Sequence, residues 1–185
     1  MPNWCENKLE VSINVSGKKN IEDAKKQLKD FKKCFNNFKN VHEEQFDFNK
    51  VIPMPESLNI PCGTGTDNAI AILEYEMGNK SKIKEMLEWS WVKEHEEILI
   101  EKDLYEHLKK DTSIKEIRDG RTAIANIEEF GCKDWYDWSC KYWGTKWNAS
   151  NTHVLSKTDD YMNFEFETAW SPPLPILESL MEQYP

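Results

Sequence analysis

From Trp4 to Val15 polar and apolar positions alternate. Cys5, Asn7, Leu9, Val11, Ile13 and Val15 share one face, and Trp4, Glu6, Lys8, Glu10, Ser12 and Asn14 share the other. A period of two predicts a half-buried strand. Ser16-Gly17 supplies a turn, and the period then lengthens. Ile21, Ala24, Leu28, Phe31, Phe35 and Phe38 fall on one helical stripe opposite a run of lysines, with Asn20 placed to cap and Asp23 in the first turn. The spacing predicts a helix running to about Phe38. Alternation returns over Gln45–Ile52 and stops at Pro53-Met54-Pro55, because proline cannot donate to a ladder.

The segment Pro61-Cys62-Gly63-Thr64-Gly65-Thr66-Asp67 reads as a glycine-rich turn into a helix over about Asn68–Met77. Free N–H groups at such a helix start can hold an anion. The glycine spacing and the missing lysine fit neither a P-loop nor a dinucleotide fingerprint, so a capped turn is the preferred reading. Gly78-Asn79 ends this helix. From Lys80 to Asp119 the chain turns rich in Glu and Lys, with apolar residues such as Ile83, Leu87, Ile98, Leu104, Leu108, Ile114 and Ile117 at helical spacings, which predicts two or three amphipathic helices. His95 and His107 each read as solitary, solvated residues there. A short helix over Arg121–Phe130, with Ile124, Ile127 and Phe130 on one side, is stopped by Gly131.

Half of the eight tryptophans lie between Asp134 and Ala149. Before Gly144 the aromatics are spaced for a helix capped by Asp134; beyond it Trp147–Leu155 reads as a strand. Lys157-Thr158-Asp159-Asp160 makes a hairpin turn into the clearest strand, Tyr161–Trp170. Its face of Met162, Phe164, Phe166, Thr168 and Trp170 opposes Tyr161, Asn163, Glu165, Glu167 and Ala169. Ser171-Pro172-Pro173, with Ser171 as cap, begins a last helix along Ile176, Leu177, Leu180 and Met181. Together these elements predict an α+β fold: a ferredoxin-like antiparallel sheet with helices on one face and a helical insertion in the middle. Residues 1–185 form one domain, with 80–119 inserted.

The formal net charge of −9 argues against a basic footprint for nucleic-acid backbones. It leaves open an acidic surface that imitates DNA. The outward sheet face carries Glu6, Glu10, Glu165 and Glu167, which would repel phosphate, so RNA recognition on the sheet is not expected. Five cysteines without ligand spacing read as mostly buried thiols, with no metal and no cofactor implied. No stretch approaches a membrane span and no leader is evident, so a soluble, cytoplasmic protein is expected.

Four blocks carry a resemblance: Pro2-Asn3-Trp4-Cys5-x-Asn7-x-Leu9-x-Val11, Val51-Ile52-Pro53-x-Pro55, Trp143-Gly144-Thr145-Lys146-Trp147-Asn148-Ala149 and Thr168-Ala169-Trp170-Ser171-Pro172-Pro173. Taken together they resemble the YubB-type ferredoxin-like family of bacteriophage and plasmid proteins. The resemblance implies a ferredoxin-like domain in a mobile-element accessory protein, and it assigns no catalytic residue.

The blocks bring together Asn3, Trp4, Asn7, Trp143, Thr145, Lys146, Trp147, Asn148, Thr168 and Trp170. On one reading, Asn7 and Thr168, on apolar strand faces, bond one another or the Gly144 turn, and the tryptophans are core. On the other, indoles stack a planar ligand while Lys146 meets its anionic group. The preferred function is a non-enzymatic accessory protein that binds and sequesters a nucleotide-derived host immune signal. The first alternative is a protein-protein inhibitor of a host defence enzyme, acting as an acidic DNA mimic or through the 80–119 helices. The second is a nucleotide-processing enzyme using His153 or the Glu165 and Glu167 pair. The partners expected are a nucleotide-like small molecule or a host defence protein, in the host cytoplasm if the chain is phage-encoded, with room for a homo-oligomer.

Overall fold

The computed structural model describes residues 3–13, 20–37 and 44–185; Val15, Ser16, Gly17, Phe38 and His42 lie outside them. In chain order the elements are β1 (Trp4–Ser12), α1 (Ile21–Phe31), β2 (Phe35–Asn37), β3 (Glu44–Phe46), α2 (Thr64–Glu76), α3 (Ser81–Met86), α4 (Ser90–Lys93), α5 (Glu101–Asp111), α6 (Ile114–Phe130), α7 (Trp135–Trp138), β4 (Ser150–Lys157), β5 (Tyr161–Ala169) and α8 (Leu174–Gln183). They form two compact units, one reaching to Met54 and resuming at Trp138–Pro185, the other Pro55–Asp137.

In the first unit β5 is the central strand of an antiparallel sheet ordered β1-β5-β4, with β1 and β4 on its two sides. The predicted alternation along β1 holds: its residues switch between exposed and half-buried from Trp4 to Ser12. On β5, Met162, Phe164, Phe166 and Thr168 are buried. Phe31 of α1 packs 6.2 Å from Phe164 and edge-on to Tyr184 at 5.8 Å, while Ile176 and Leu180 bury the stripe of α8. The helices therefore cover the apolar side of the sheet, as its one-sided pattern requires. The other side carries Glu6, Lys8, Glu10 and Glu165.

Three elements end differently from their sequence patterns. Helix α1 is capped as predicted, Asn20 Oδ1 accepting the Glu22 N–H at 3.2 Å, but it stops at Phe31. The chain passes through a 3₁₀ turn, Lys32–Cys34, into β2, which pairs with β3. Phe35 stacks on Phe46 with centroids 5.3 Å apart and meets Phe164 edge-on at 4.9 Å, so aromatic packing overrides a spacing that also suits a helix. The second predicted strand shrinks to β3 because Asp47 Oδ1 accepts the Asn49 N–H and starts another 3₁₀ turn, Phe48–Lys50. Strand β5 stops at Ala169, which is buried, and Trp170 is turned outward at φ 72°, the reverse of the predicted faces.

The second unit is helical, and the 80–119 stretch lies inside it. Ala71, Ile72, Ile83, Met86, Val92, Ile98, Leu104 and Leu108 form its core. The predicted Arg121–Phe130 helix starts earlier, at Ile114, where Ser113 and Glu116 form a reciprocal capping box. Gly120 sits inside α6 because a Cβ there would lie 2.7 Å from the Ala69 Cβ, so α2 and α6 approach with no side chain between them. The buried stripe of α6 is accordingly Gly120, Ala123 and Asn126, while Ile127 is exposed. Asn126 Nδ2 donates to Ser57 O at 2.9 Å and Lys133 O at 3.2 Å, which satisfies its buried amide.

Candidate functional site

The tryptophan-rich stretch is built around two backbone devices. Asp134 Oδ1 accepts the N–H groups of Tyr136 and Asp137 at 2.9 and 3.1 Å, starting α7 as the sequence predicts. Its other oxygen is buried without a hydrogen-bond partner among the described residues, and burial pushes the carboxyl above its usual range. The helix then widens into a π turn over Ser139–Trp143 and ends at Gly144, φ 74°. Glycine is required there twice over, by the left-handed φ and by Pro175 Cδ, which lies 2.7 Å from where a Cβ would stand. The predicted strand from Trp147 begins only at Ser150. Asn148 holds the intervening chain elsewhere: its Oδ1 accepts the Phe48 N–H at 2.8 Å and its Nδ2 donates to Asp47 Oδ1 at 2.7 Å.

The structure divides the ten candidate residues into two groups. Asn7, Trp143, Thr145, Asn148 and Thr168, buried or half-buried, form a belt of side chains each hydrogen-bonded into the fold. Asn7 Nδ2 donates to Thr168 Oγ1 and Cys5 O, both at 2.9 Å, and Thr168 donates onward to Ser171 O at 2.8 Å. Thr145 Oγ1 donates to Ala169 O at 2.8 Å and Trp143 Nε1 to Ile52 O at 3.0 Å. Ser171, expected to cap the last helix, instead donates its hydroxyl to Gly144 O at 2.6 Å; Pro173 occupies the cap position of α8.

The belt carries the second group at the surface. Trp4, Trp147 and Trp170 are 47, 38 and 53% exposed. Trp4 and Trp147 lie 6.0 Å apart at an interplanar angle of 44°. Lys146 Nζ stands 4.9 Å from the Trp147 ring and 5.1 Å from that of Trp170, within cation–π range of both. Asn3 contributes through its backbone, its carbonyl accepting the Trp170 N–H at 2.8 Å. What results is an indole platform with an ammonium group on it, held by a saturated polar belt beneath.

Other residues read from the sequence fall at separate places. Glu165 and Glu167, with Glu6, Lys8, Asn151 and His153, line a depression of about 490 Å³ on the open sheet face. His153 pairs across the strands with Glu165, and Glu6 with Glu167. In the helical unit His95 and His107 are not solitary: their rings are 5.1 Å apart beside Trp91, whose carbonyl lies 2.8 Å from His95 Nδ1. They stand twelve positions apart, on either side of the start of α5, which hides the pairing. At the glycine-rich turn the Glu116 carboxylate fills the space beside Gly65 and Asp67 pairs with Lys133 at 2.6 Å, so that helix start already faces negative charge. The cysteines are less buried than expected: Cys34 and Cys132 are buried, but Cys62 and Cys140 are exposed. Burial raises the Cys34 thiol and pushes the adjacent Tyr184 hydroxyl up to about 12.

Among the described residues no three His, Cys, Asp or Glu side chains are grouped to hold a metal, and no helix is long and apolar enough to cross a membrane. No curated protein and no solved structure matches the chain. Residues 142–185, which run from the π turn through β4, β5 and α8 and include Lys146, Trp147 and Trp170, match the family described as the ferredoxin-like domain in Api92-like protein. The C-terminal part of the chain is thus a ferredoxin-like domain similar to that of Api92-like proteins.

Proposed function

We propose that this is a non-enzymatic binding protein whose ligand stacks on the Trp147 and Trp170 indoles and presents an anionic group to Lys146. The observation that carries this reading is Trp170. A bulky residue at φ 72° is disfavoured by sterics, and its large apolar ring is more than half exposed. Strain held in place by surrounding hydrogen bonds is the signature of a residue positioned for a task. Nucleotides combine a planar base with phosphate, and base–aromatic stacking contributes about 1–3 kcal/mol per base.

The YubB-type resemblance supplies the setting: an accessory protein of a phage or plasmid that acts in the host cytoplasm by sequestering a nucleotide-derived immune signal. Calorimetric titration with mono- and cyclic dinucleotides tests it. Binding is expected, is lost in Trp147→Ala and Trp170→Ala, and returns the nucleotide intact when the complex is denatured. Absence of binding to any of them defeats the reading, and recovery of a cleaved nucleotide assigns an enzyme instead.

A second reading rests on the depression lined by Glu6, Glu165 and Glu167. Carboxylates crowded on an open sheet face suit the basic surface of a protein partner, as an inhibitor or DNA mimic would. Reversing Glu165 and Glu167 to lysine abolishes partner capture on that reading and leaves nucleotide binding intact.

A further inference from the structure

Backbone orientation along β1 determines what its open edge can do. Ile13 N–H donates to Asp160 O at 3.0 Å, and Asn3 O accepts the Trp170 N–H at 2.8 Å. Residues of β1 with odd numbers therefore direct their peptide groups at β5, and Glu6, Lys8, Glu10 and Ser12 direct theirs away from it. No described strand pairs with that side. An unpaired, regular edge is a template for another strand. Beside it runs an apolar groove of about 370 Å³ lined by Leu9, Val11, Phe31, Leu180, Met181 and Tyr184, with Met181 73% exposed.

We propose that a second copy of this chain fills this edge, the two β1 strands pairing antiparallel about a twofold axis at Leu9. The charges on the open face, together with the residue that falls on the axis, select that register. With Leu9 on the axis, Lys8 of each copy stands opposite Glu10 of the other, both pairs fall at hydrogen-bonded positions, and Glu6 stands opposite Ser12. Leu9 meets its own counterpart on the groove side. A slip that puts Lys8 on the axis sets Lys8 against Lys8 and Glu6 against Glu10, which is repulsive at every charged position. A slip to Asn7 matches Lys8 with Glu6 but places amide against amide on the buried side.

Within one chain Lys8 Nζ is 3.6 Å from Glu10, both side chains being exposed, and Lys8 lies across from Glu165. These contacts leave both groups reachable by a neighbour. The paired copies form one continuous six-stranded sheet with both α8 helices on the same side, so the apolar grooves of the two copies lie on either side of the axis.

Sedimentation velocity of the full chain tests this. The expected species has twice the 21.8 kDa chain mass. Lys8→Glu alone and Glu10→Lys alone each raise the dimer dissociation constant about tenfold or more, since two symmetric pairs turn repulsive at once. The double exchange, Lys8→Glu with Glu10→Lys, restores it, because the Leu9 register then again sets unlike charges opposite in both of its charged pairs, whereas the Asn7 register sets like charges opposite and the Lys8 register keeps a like pair on its axis. Circular dichroism separates loss of pairing from loss of fold. A monomer at the highest attainable concentration overturns the proposal and leaves the edge to a strand from another protein. A dimer indifferent to both single reversals, or one that the double exchange fails to restore, overturns it equally.

Discussion

Thr168 accepts the Asn7 amide at 2.9 Å and donates its own hydroxyl to Ser171 O at 2.8 Å, so one buried side chain joins β1 to the turn that follows β5. Replacing Thr168 by valine keeps the shape and removes both roles. Ser171 O then loses its donor, and Asn7 Nδ2 is left with Cys5 O and Phe166 O as acceptors. The expected loss is about 1–3 kcal/mol, the cost of stranding buried polar groups. Denaturant unfolding monitored by tryptophan fluorescence measures it, and an unchanged midpoint contradicts the role assigned to this belt.

Trp170 offers a separation of stability from function. Glycine adopts φ 72° without strain, so Trp170→Gly relieves the backbone while deleting the indole. Its stability is expected to stay within about 1 kcal/mol of the parent, because the released strain offsets the greater freedom of glycine in the unfolded chain. Nucleotide binding is lost in the same variant. A large destabilisation would make Trp170 a structural residue and weaken the binding proposal.

Gly144→Ala fails for two reasons that add. The left-handed φ strains any side chain, and Pro175 lies 2.7 Å from the new Cβ. A loss of about 2–4 kcal/mol is expected from strain and overpacking together. Thermal unfolding reads it out, and a parent-like midpoint would show that α8 can yield at Pro175.

Asp134 gives a pH dependence with a definite sign. Its folded carboxyl is raised above the ordinary value of 3.8 by burial, so the folded state prefers it protonated. That preference stabilises at acid pH and is lost as pH rises from the ordinary value through the raised one. Asp134→Asn keeps an oxygen for the Tyr136 and Asp137 N–H groups and cannot ionise. The variant should therefore be more stable than the parent at neutral pH and converge with it below pH 3.8. Urea midpoints across that range decide the matter; a less stable variant at pH 7 would mean that the charged form is the one the cap requires.

The sheet was readable wherever one side of a strand is wet. The alternation along β1 and β5 located both strands and the buried partnership of Asn7 and Thr168. The short β2–β3 pair was not readable, because Phe31 and Phe35 stand four residues apart and satisfy a helix as well as they satisfy the aromatic cluster around Phe164. In α6 the sequence pattern began the helix only at Arg121, whereas the helix starts at Ile114 and Gly120 within it marks where α2 touches. The candidate site was legible only as a group of residues. Their types came from the chain, but whether Trp170 faces inward or outward depends on a single backbone angle that alternation places on the wrong side. His95 and His107 meet only through tertiary packing, which no spacing rule records.

Lys146 rests against the same two rings that would receive a base, so a ligand has to exchange with a group already in place. A bare aromatic molecule gains the ring faces and forfeits the ammonium contact it expels. A molecule with a phosphate beside its ring moves the ammonium a few ångströms and keeps it as a partner. On the proposed reading the platform would therefore reject uncharged aromatics by making them compete with its own side chain, and replacing Lys146 by methionine should widen what it accepts.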